Sequence, residues 1–264
     1  MRDLLSNLII KYKKQIDYLE IRIEKSEIFR ISFQGPTLDN IARSCNLGGS
    51  VRAMYKGGWG FVSFNSLGEL DEKISLAIRQ AKIVGKLNLK IPESVVTEAV
   101  VKVDIKNDPR KVLSNEKKKL FEHYNSILLS HSKKIQSTAV SYRDEVRTTY
   151  FANSFGAYIE QDRLDVVGTF NVIARDENNV KQAYESVSSR DSYDVVLNLD
   201  KQVLETAERA LRQLLAKPVQ AGDYTVVLDP KLTGVFIHEA FGYLSEGDNV
   251  YESDKMKEIL VLGK

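Results

Sequence analysis

Tyr18-Leu-Glu-Ile-Arg-Ile-Glu24 is the stretch on which the reading of the fold turns. Tyr18, Glu20, Arg22 and Glu24 alternate with Leu19, Ile21 and Ile23, the period-two pattern of a strand with one face buried and one in water. Phe29, Ile31 and Phe33 then alternate with Arg30 and Ser32, which predicts a second strand of the same kind. Val51-Arg-Ala-Met-Tyr55 and Trp59-Gly-Phe-Val-Ser-Phe64 flank Lys56-Gly57-Gly58, where glycines supply the positive φ that a tight hairpin needs. Upstream, Leu4, Leu5, Leu8 and Ile9 recur at helical spacing and predict an amphipathic helix at the N-terminus. Downstream, Ser66 with Glu69 reads as a capping box. It opens a helix whose apolar stripe runs through Leu70, Ile74, Ala77, Ile78 and Ala81.

Pro92, Pro109 and the polar Lys106-Asn-Asp mark a boundary after this first unit. A helix over 114–130 follows, then several strand-like segments separated by turns at Asn153-Ser-Phe-Gly156 and Asp176-Glu-Asn-Asn179. Val203, Ala207, Ala210, Leu211, Leu214 and Leu215 define one more amphipathic helix, which must stop before Pro218. Beyond it the character changes. Tyr224-Thr-Val-Val-Leu228 is almost wholly apolar and predicts a strand buried on both faces. Asp229-Pro230 then supplies a helix cap and a proline at the first helical position. The expected class is α+β, with two consecutive mixed units of antiparallel strands and packing helices, followed by the opening strand and helix of a third domain. The expected divisions are 1–105, 106–220 and 221–264, the last an incomplete C-terminal metallopeptidase domain on the resemblance described below.

The 264 residues carry 38 Lys+Arg against 36 Asp+Glu, a net charge of +2, which leaves no electrostatic footprint for nucleic acid or an acidic membrane. Hydrophobic residues at 43% and charged residues at 28% are ordinary for a globular chain and exclude wholesale disorder. A single cysteine, Cys45, rules out an intrachain disulfide. No apolar run approaches the length of a membrane span. The apolar run near the N-terminus is too short for a signal peptide and is followed at once by Lys11, Lys13 and Lys14. The expected location is therefore the cytoplasm, with neither membrane nor nucleic acid as a partner.

His238-Glu239 is the one constellation with catalytic promise. In metallopeptidase helices an imidazole binds zinc while an adjacent glutamate takes a proton from the metal-bound water. The partner histidine usually stands four residues on, because four residues return to the same helical face. Here that position is Gly242, which has no donor. Five residues on stands Tyr243, about 140° around an ideal helix, which converges with His238 only at a π-like bulge or a helix end. His238 and Glu239 interrupt an apolar helix (Val235, Phe236, Ile237, Ala240, Phe241), as residues facing a cleft would.

The string Leu228-Asp-Pro-Lys-Leu-Thr-Gly-Val-Phe-Ile-His-Glu-Ala-Phe-Gly-Tyr-Leu-Ser-Glu-Gly-Asp248 resembles the TldD side of the TldD/PmbA family. Gly49-Ser-Val-Arg-Ala-Met-Tyr-Lys-Gly-Gly-Trp-Gly-Phe-Val-Ser63 and Asn153-Ser-Phe-Gly-Ala-Tyr-Ile-Glu-Gln161 resemble its first-domain hairpin and its middle-domain strand pair. The resemblance implies a cytoplasmic zinc metallopeptidase acting on unfolded or peptide-like substrates. It also implies a dimer with a PmbA/TldE-like subunit or with a second copy. His238 matches the first zinc ligand of a His-Glu-x-x-x-His motif, and Glu239 matches the catalytic acid/base. Tyr243 stands where the family has its second histidine, and a neutral phenol is a poor substitute for imidazole. The family's C-terminal cysteine ligand has no counterpart, since Cys45 lies in the first domain. The alternative reading is a catalytically inactive fragment or assembly module of the same family.

Other candidates read as structural. His123 and His131 are too far apart along one helix to share a ligand. Cys45 reads as a small buried or inert residue, Gly48-Gly49 and Gly57-Gly58 as hairpin geometry, and Lys117-Lys-Lys119 as solvated surface. Phe236, Ile237 and Phe241 are expected to be under-covered.

Overall fold

The structure, a computed structural model, describes residues 1–86, 91 and 95–260. The boundary expected at Pro92 and the final Leu262-Gly-Lys264 lie outside the described residues. Residues Met1–Ala216 make one compact unit and the segment from Lys217 makes another.

The alternation at Tyr18–Glu24 does form a strand, and the strand does not stop where its pattern does. β1 runs Tyr18–Gln34 without a break, so the two strands expected from sequence are one. It turns at Gln34–Thr37 into β2, Thr37–Tyr55, which pairs along its whole length. β2 then turns into β3, Gly58–Phe64, through Lys56 and Gly57, both at positive φ (46° and 73°). This is the two-residue geometry whose twist matches flanking strands. Gly48 and Gly49, by contrast, stand inside β2 rather than in a turn. A side chain at Gly49 would meet the Phe64 ring at 2.4 Å, so the bare backbone there makes room for packing.

On the other edge of β1 lies β5, Ile135–Asn153, which hairpins through Ser154–Ala157 into β6, Tyr158–Asp176. The outer edge of β6 is shared: β4, Glu98–Val101, pairs in parallel with its first residues, and β7, Asn179–Ser189, antiparallel with its last eleven. The strand order is β3-β2-β1-β5-β6-β4, with β7 also on β6. Strands from the first and middle segments thus belong to one seven-stranded, open sheet.

The inward side chains fall into two cores on the same sheet face. One gathers Leu19, Ile21, Ile23, Val51 and Ala53 under α1, Arg2–Tyr12, and α2, Leu70–Val84. The other gathers Phe29, Ile31, Phe33, Tyr142 and Phe170 under α3, Ser114–Ser130, and α4, Asp200–Leu214. Between them β1 carries Lys25 and Glu27, neither of them buried, on the inward register. The polar interruption in the sequence therefore marks the gap between two helix layers, while backbone pairing to β2 and β5 continues past it. Helix α2 sits close: a Cβ at Gly60 would lie 1.9 Å from the Ala77 carbonyl oxygen. The opposite face carries Glu20, Arg22, Glu24, Arg52 and Arg147, as expected of an antiparallel sheet with one solvated side.

In the second unit, Tyr224–Leu228 is not a strand. It pairs with no described strand, and Val227 is 97% exposed. A strand satisfies its backbone only through a neighbour, and an apolar run without one gains nothing by pleating. The helix after it forms as expected: the Asp229 carboxylate accepts from Leu232 N–H at 2.7 Å, Pro230 holds the first position, and α5 runs Pro230–Ile237. No described helix is long and apolar enough to cross a membrane.

Candidate functional site

At the end of α5 the backbone widens. His238–Gly242 is a π turn, and the Tyr243 N–H donates to the His238 carbonyl five residues back. A tighter single turn, Tyr243–Ser245, closes the segment. The widening brings His238 and Tyr243 together, with ring centroids 4.9 Å apart and planes tilted by 49°. An unbroken α-helix would set these two positions about 140° apart. Such single π turns inside helices occur frequently at functional sites.

His238, Glu239 and Tyr243 are all exposed, as are Phe236, Ile237 and Phe241, the last at 62%. The under-covered apolar surface expected from sequence is present. Its polar residues stand in water rather than in an enclosed pocket.

The donor set decides what this segment can hold. A catalytic zinc site takes about three protein donors and keeps one position open. His238 supplies one imidazole, and Tyr243 offers a neutral phenol, which binds metal only after giving up its proton. Among the described residues no group of three or more His, Cys, Asp or Glu is placed to hold a metal. The residues present therefore do not fit a complete zinc site.

Elsewhere the structure corrects the expectation for the lysine run. Lys118 and Lys119 lie at the surface, but Lys117 is fully buried in an ion pair with Asp144. The Tyr142 hydroxyl donates to the same carboxylate at 2.7 Å, and the ammonium lies 4.6 Å from the Phe29 ring centroid and 5.1 Å from that of Tyr142. Burial pulls the Lys117 ammonium below its usual range, against the opposing pull of the Asp144 carboxylate. The signal was in the sequence: Lys117 falls on the stripe Phe121, Tyr124, Leu128 of α3, and Asp144 is two residues after the inward Tyr142. The cluster is enclosed by the sheet and α3, so it serves as a core contact. Cys45 is exposed on β2 rather than buried. His123 pairs with Asp200 at 2.6 Å on the surface, and the two belong to no group of three or more metal-ligating side chains among the described residues.

The second unit carries a His-Glu pair on a π turn, the first a seven-stranded sheet with its helices on one face, and no complete metal-donor set is present among the described residues. The chain belongs to the PmbA/TldD metallopeptidase family. The family's models match it twice: "PmbA/TldA metallopeptidase domain 1" over residues 19–82 and "PmbA/TldA metallopeptidase central domain" over 107–217. A metalloprotease of Synechocystis sp. is 38% identical over 261 residues, 98% of this chain and 56% of that protein. A metalloprotease of Methanocaldococcus jannaschii is 34% identical over 254 residues, 91% of this chain and 54% of that one. The chain spans about half the length of these relatives. In fold it is similar to a crystal structure from Bacteroides thetaiotaomicron, of a protein proposed to modulate DNA gyrase. The TM-score is 0.80 at 20% identity, covering 92% of this chain and 56% of that one. TldE of Thermococcus kodakarensis gives a TM-score of 0.57 at 19% identity, covering 80% of this chain and 47% of that one.

Proposed function

We propose that this chain is a TldD-like subunit of a cytoplasmic zinc metallopeptidase that hydrolyses unfolded or peptide-like substrates. In this reading His238 is a metal donor and Glu239 the acid/base. The π turn that holds the His-Glu pair is the observation that supports the reading, because such turns are rare and are found often at functional sites. One imidazole does not make the site, so the remaining donors come from groups beyond the described residues, in a PmbA/TldE-like subunit, in a second copy, or in a further segment of chain. Zinc per chain, measured on metal-replete protein beside His238→Ala, tests it. One zinc lost in the variant supports the reading, and an equal zinc content in both removes His238 from it. With the partner present, Glu239→Ala should abolish peptidase activity; unchanged activity would sink the catalytic role.

The second reading is a catalytically inactive fragment or assembly module. Tyr243 at the position of the second ligand, and the lack of a three-donor group among the described residues, favour it. A stable, metal-free dimer without peptidase activity in light scattering and assay is its expected signature.

A further inference from the structure

We propose that the unpaired edge of β2, Asn40–Gly48, is a docking site for an acidic, extended segment of another chain, which adds to the sheet as a further strand. β3 covers β2 only from Gly49 to Tyr55, so β2 overhangs it. Along Asn40–Gly48 one edge of β2 pairs with β1, and no described residue pairs with the other. At about 3.4 Å per residue this is about 30 Å of open backbone donors and acceptors, more than an average strand needs. Natural edges of this kind are commonly blunted by lysine, proline or a bulge. Here the bulge is at Asp39, just before the open stretch, where the register shifts between Ser32 and Phe33. Asn40–Gly48 itself holds neither lysine nor proline. Its one charged residue, Arg43, lies back on the sheet, 3.5 Å from Glu27 and 5.7 Å from the Phe29 ring centroid.

An added strand sends alternate side chains to opposite faces, and a recess opens beside this edge on each face. On the solvated face a recess of about 410 Å³ is bordered by Arg22, Glu24, Asn46, Gly48 and Asn65. Gly48 has no side chain to block the way across β2, and a Cβ built there would come no nearer than 3.4 Å to Asn65. On the helix-bearing face, in the gap between the two cores, a recess of about 360 Å³ is bordered by Lys25, Glu27, Cys45, Leu47, Arg110 and Val146. The carboxylates are already engaged, Glu24 with Arg147 and Glu27 with Arg43, and Arg110 is paired with Asp108. One exposed cation is left in each recess: among the described residues neither Arg22 nor Lys25 has an ion-pair partner. Carboxylates on both faces of an incoming strand meet that demand. A second copy of the chain would instead bring the same two cations, and its Asp39 already accepts from the Ser32 hydroxyl at 3.0 Å. No residue of the second unit belongs to the site, so it stands or falls apart from the proposed function.

The test is fluorescence anisotropy of the full chain with a labelled, extended Thr/Val peptide that carries two glutamates three positions apart, one for each face. Two control peptides accompany it: one with lysines in place of the glutamates, and one N-methylated at two adjacent central residues, which removes a backbone donor from both of its edges. The glutamate peptide is expected to bind at least about tenfold more tightly than either control. Arg22→Glu combined with Lys25→Glu changes two exposed residues, and circular dichroism checks that the fold is kept. This variant should reverse the preference between the glutamate and lysine peptides. His238→Ala in the presence of a chelator should leave binding unchanged. Equal binding of the N-methylated peptide overturns strand addition, and equal binding of the glutamate and lysine peptides overturns the acidic partner. Loss of binding in His238→Ala would place the peptide on the second unit and overturn the site. A chain that is dimeric by light scattering and takes up none of the peptides would give the edge to a second copy, against the proposal.

Discussion

Lys117 shows how much one residue can depend on its surroundings. Its ammonium has left water entirely, so it persists only because Asp144 neutralises it and because three aromatic rings, from Phe29, Tyr142 and Tyr193, present their faces. Removing one member of a buried pair strands the other. Lys117→Met should therefore cost about 3–5 kcal/mol in chemical denaturation, since Asp144 is left charged and enclosed. Replacing Asp144 with Leu in the same chain should recover most of that loss, because two apolar groups then meet. If the single variant unfolds at the same denaturant concentration as the natural chain, the pair is not enclosed as described. His238 and Tyr243 behave in the opposite way: both are exposed, and what they do depends on the backbone that aligns them.

At the scale of elements, the long strands β1 and β5 carry Tyr18 and Tyr142, and Tyr193, in the single turn Tyr193–Val196, packs its ring against that of Tyr142. Tyr18 begins β1 and donates to Glu20 at 2.6 Å; burial, with that carboxylate beside it, pushes its hydroxyl up to about 12. Burial also raises Tyr142 and Tyr193. An unfolded tyrosine ionises near pH 10. Above that pH the unfolded chain has lost protons that the folded chain still holds. The sign follows: the tyrosines contribute their full stabilisation below about pH 10, and it drains away as pH rises through the folded values, near 12 for Tyr18. Absorbance at 295 nm should show a tyrosinate fraction that ionises late and together with unfolding, and Tyr18→Phe should reduce that fraction. A single titration of all tyrosines near pH 10 with the fold intact would contradict the buried hydroxyls.

For the whole molecule, every buried apolar residue of the two cores lies at or before Leu214. The apolar residues of α5 and the π turn belong to neither core. Residues 1–216 prepared alone should unfold cooperatively at the denaturant midpoint of the longer chain, and should bind markedly less of a hydrophobic dye. A midpoint that falls, or dye binding that does not, would show that residues 217–264 contribute to the fold of the sheet.

Several features were legible in the residues themselves. Period-two alternation placed β1, Lys56-Gly57 placed the β2–β3 turn, the stripe from Leu70 to Ala81 placed α2, and Asp229-Pro230 placed the start of α5. These are local signals, because a side chain's alternation, a positive φ or a cap is decided within a few residues. The same holds for the recognition of the family, which rests on contiguous strings. Three things waited for the tertiary structure. Whether β1 broke at Lys25–Ile28 depended on its neighbours β2 and β5, whose backbone groups hold it through a polar stretch at which the alternation reads as two strands. Whether Lys117 faced water depended on Asp144, 27 positions on in sequence and in direct contact in space. Whether Tyr224–Leu228 became a strand depended on a partner edge, and none pairs with it among the described residues. Composition and spacing determine what a segment can bury and where it can turn, while pairing and burial belong to two segments at once and are settled only when both are in place.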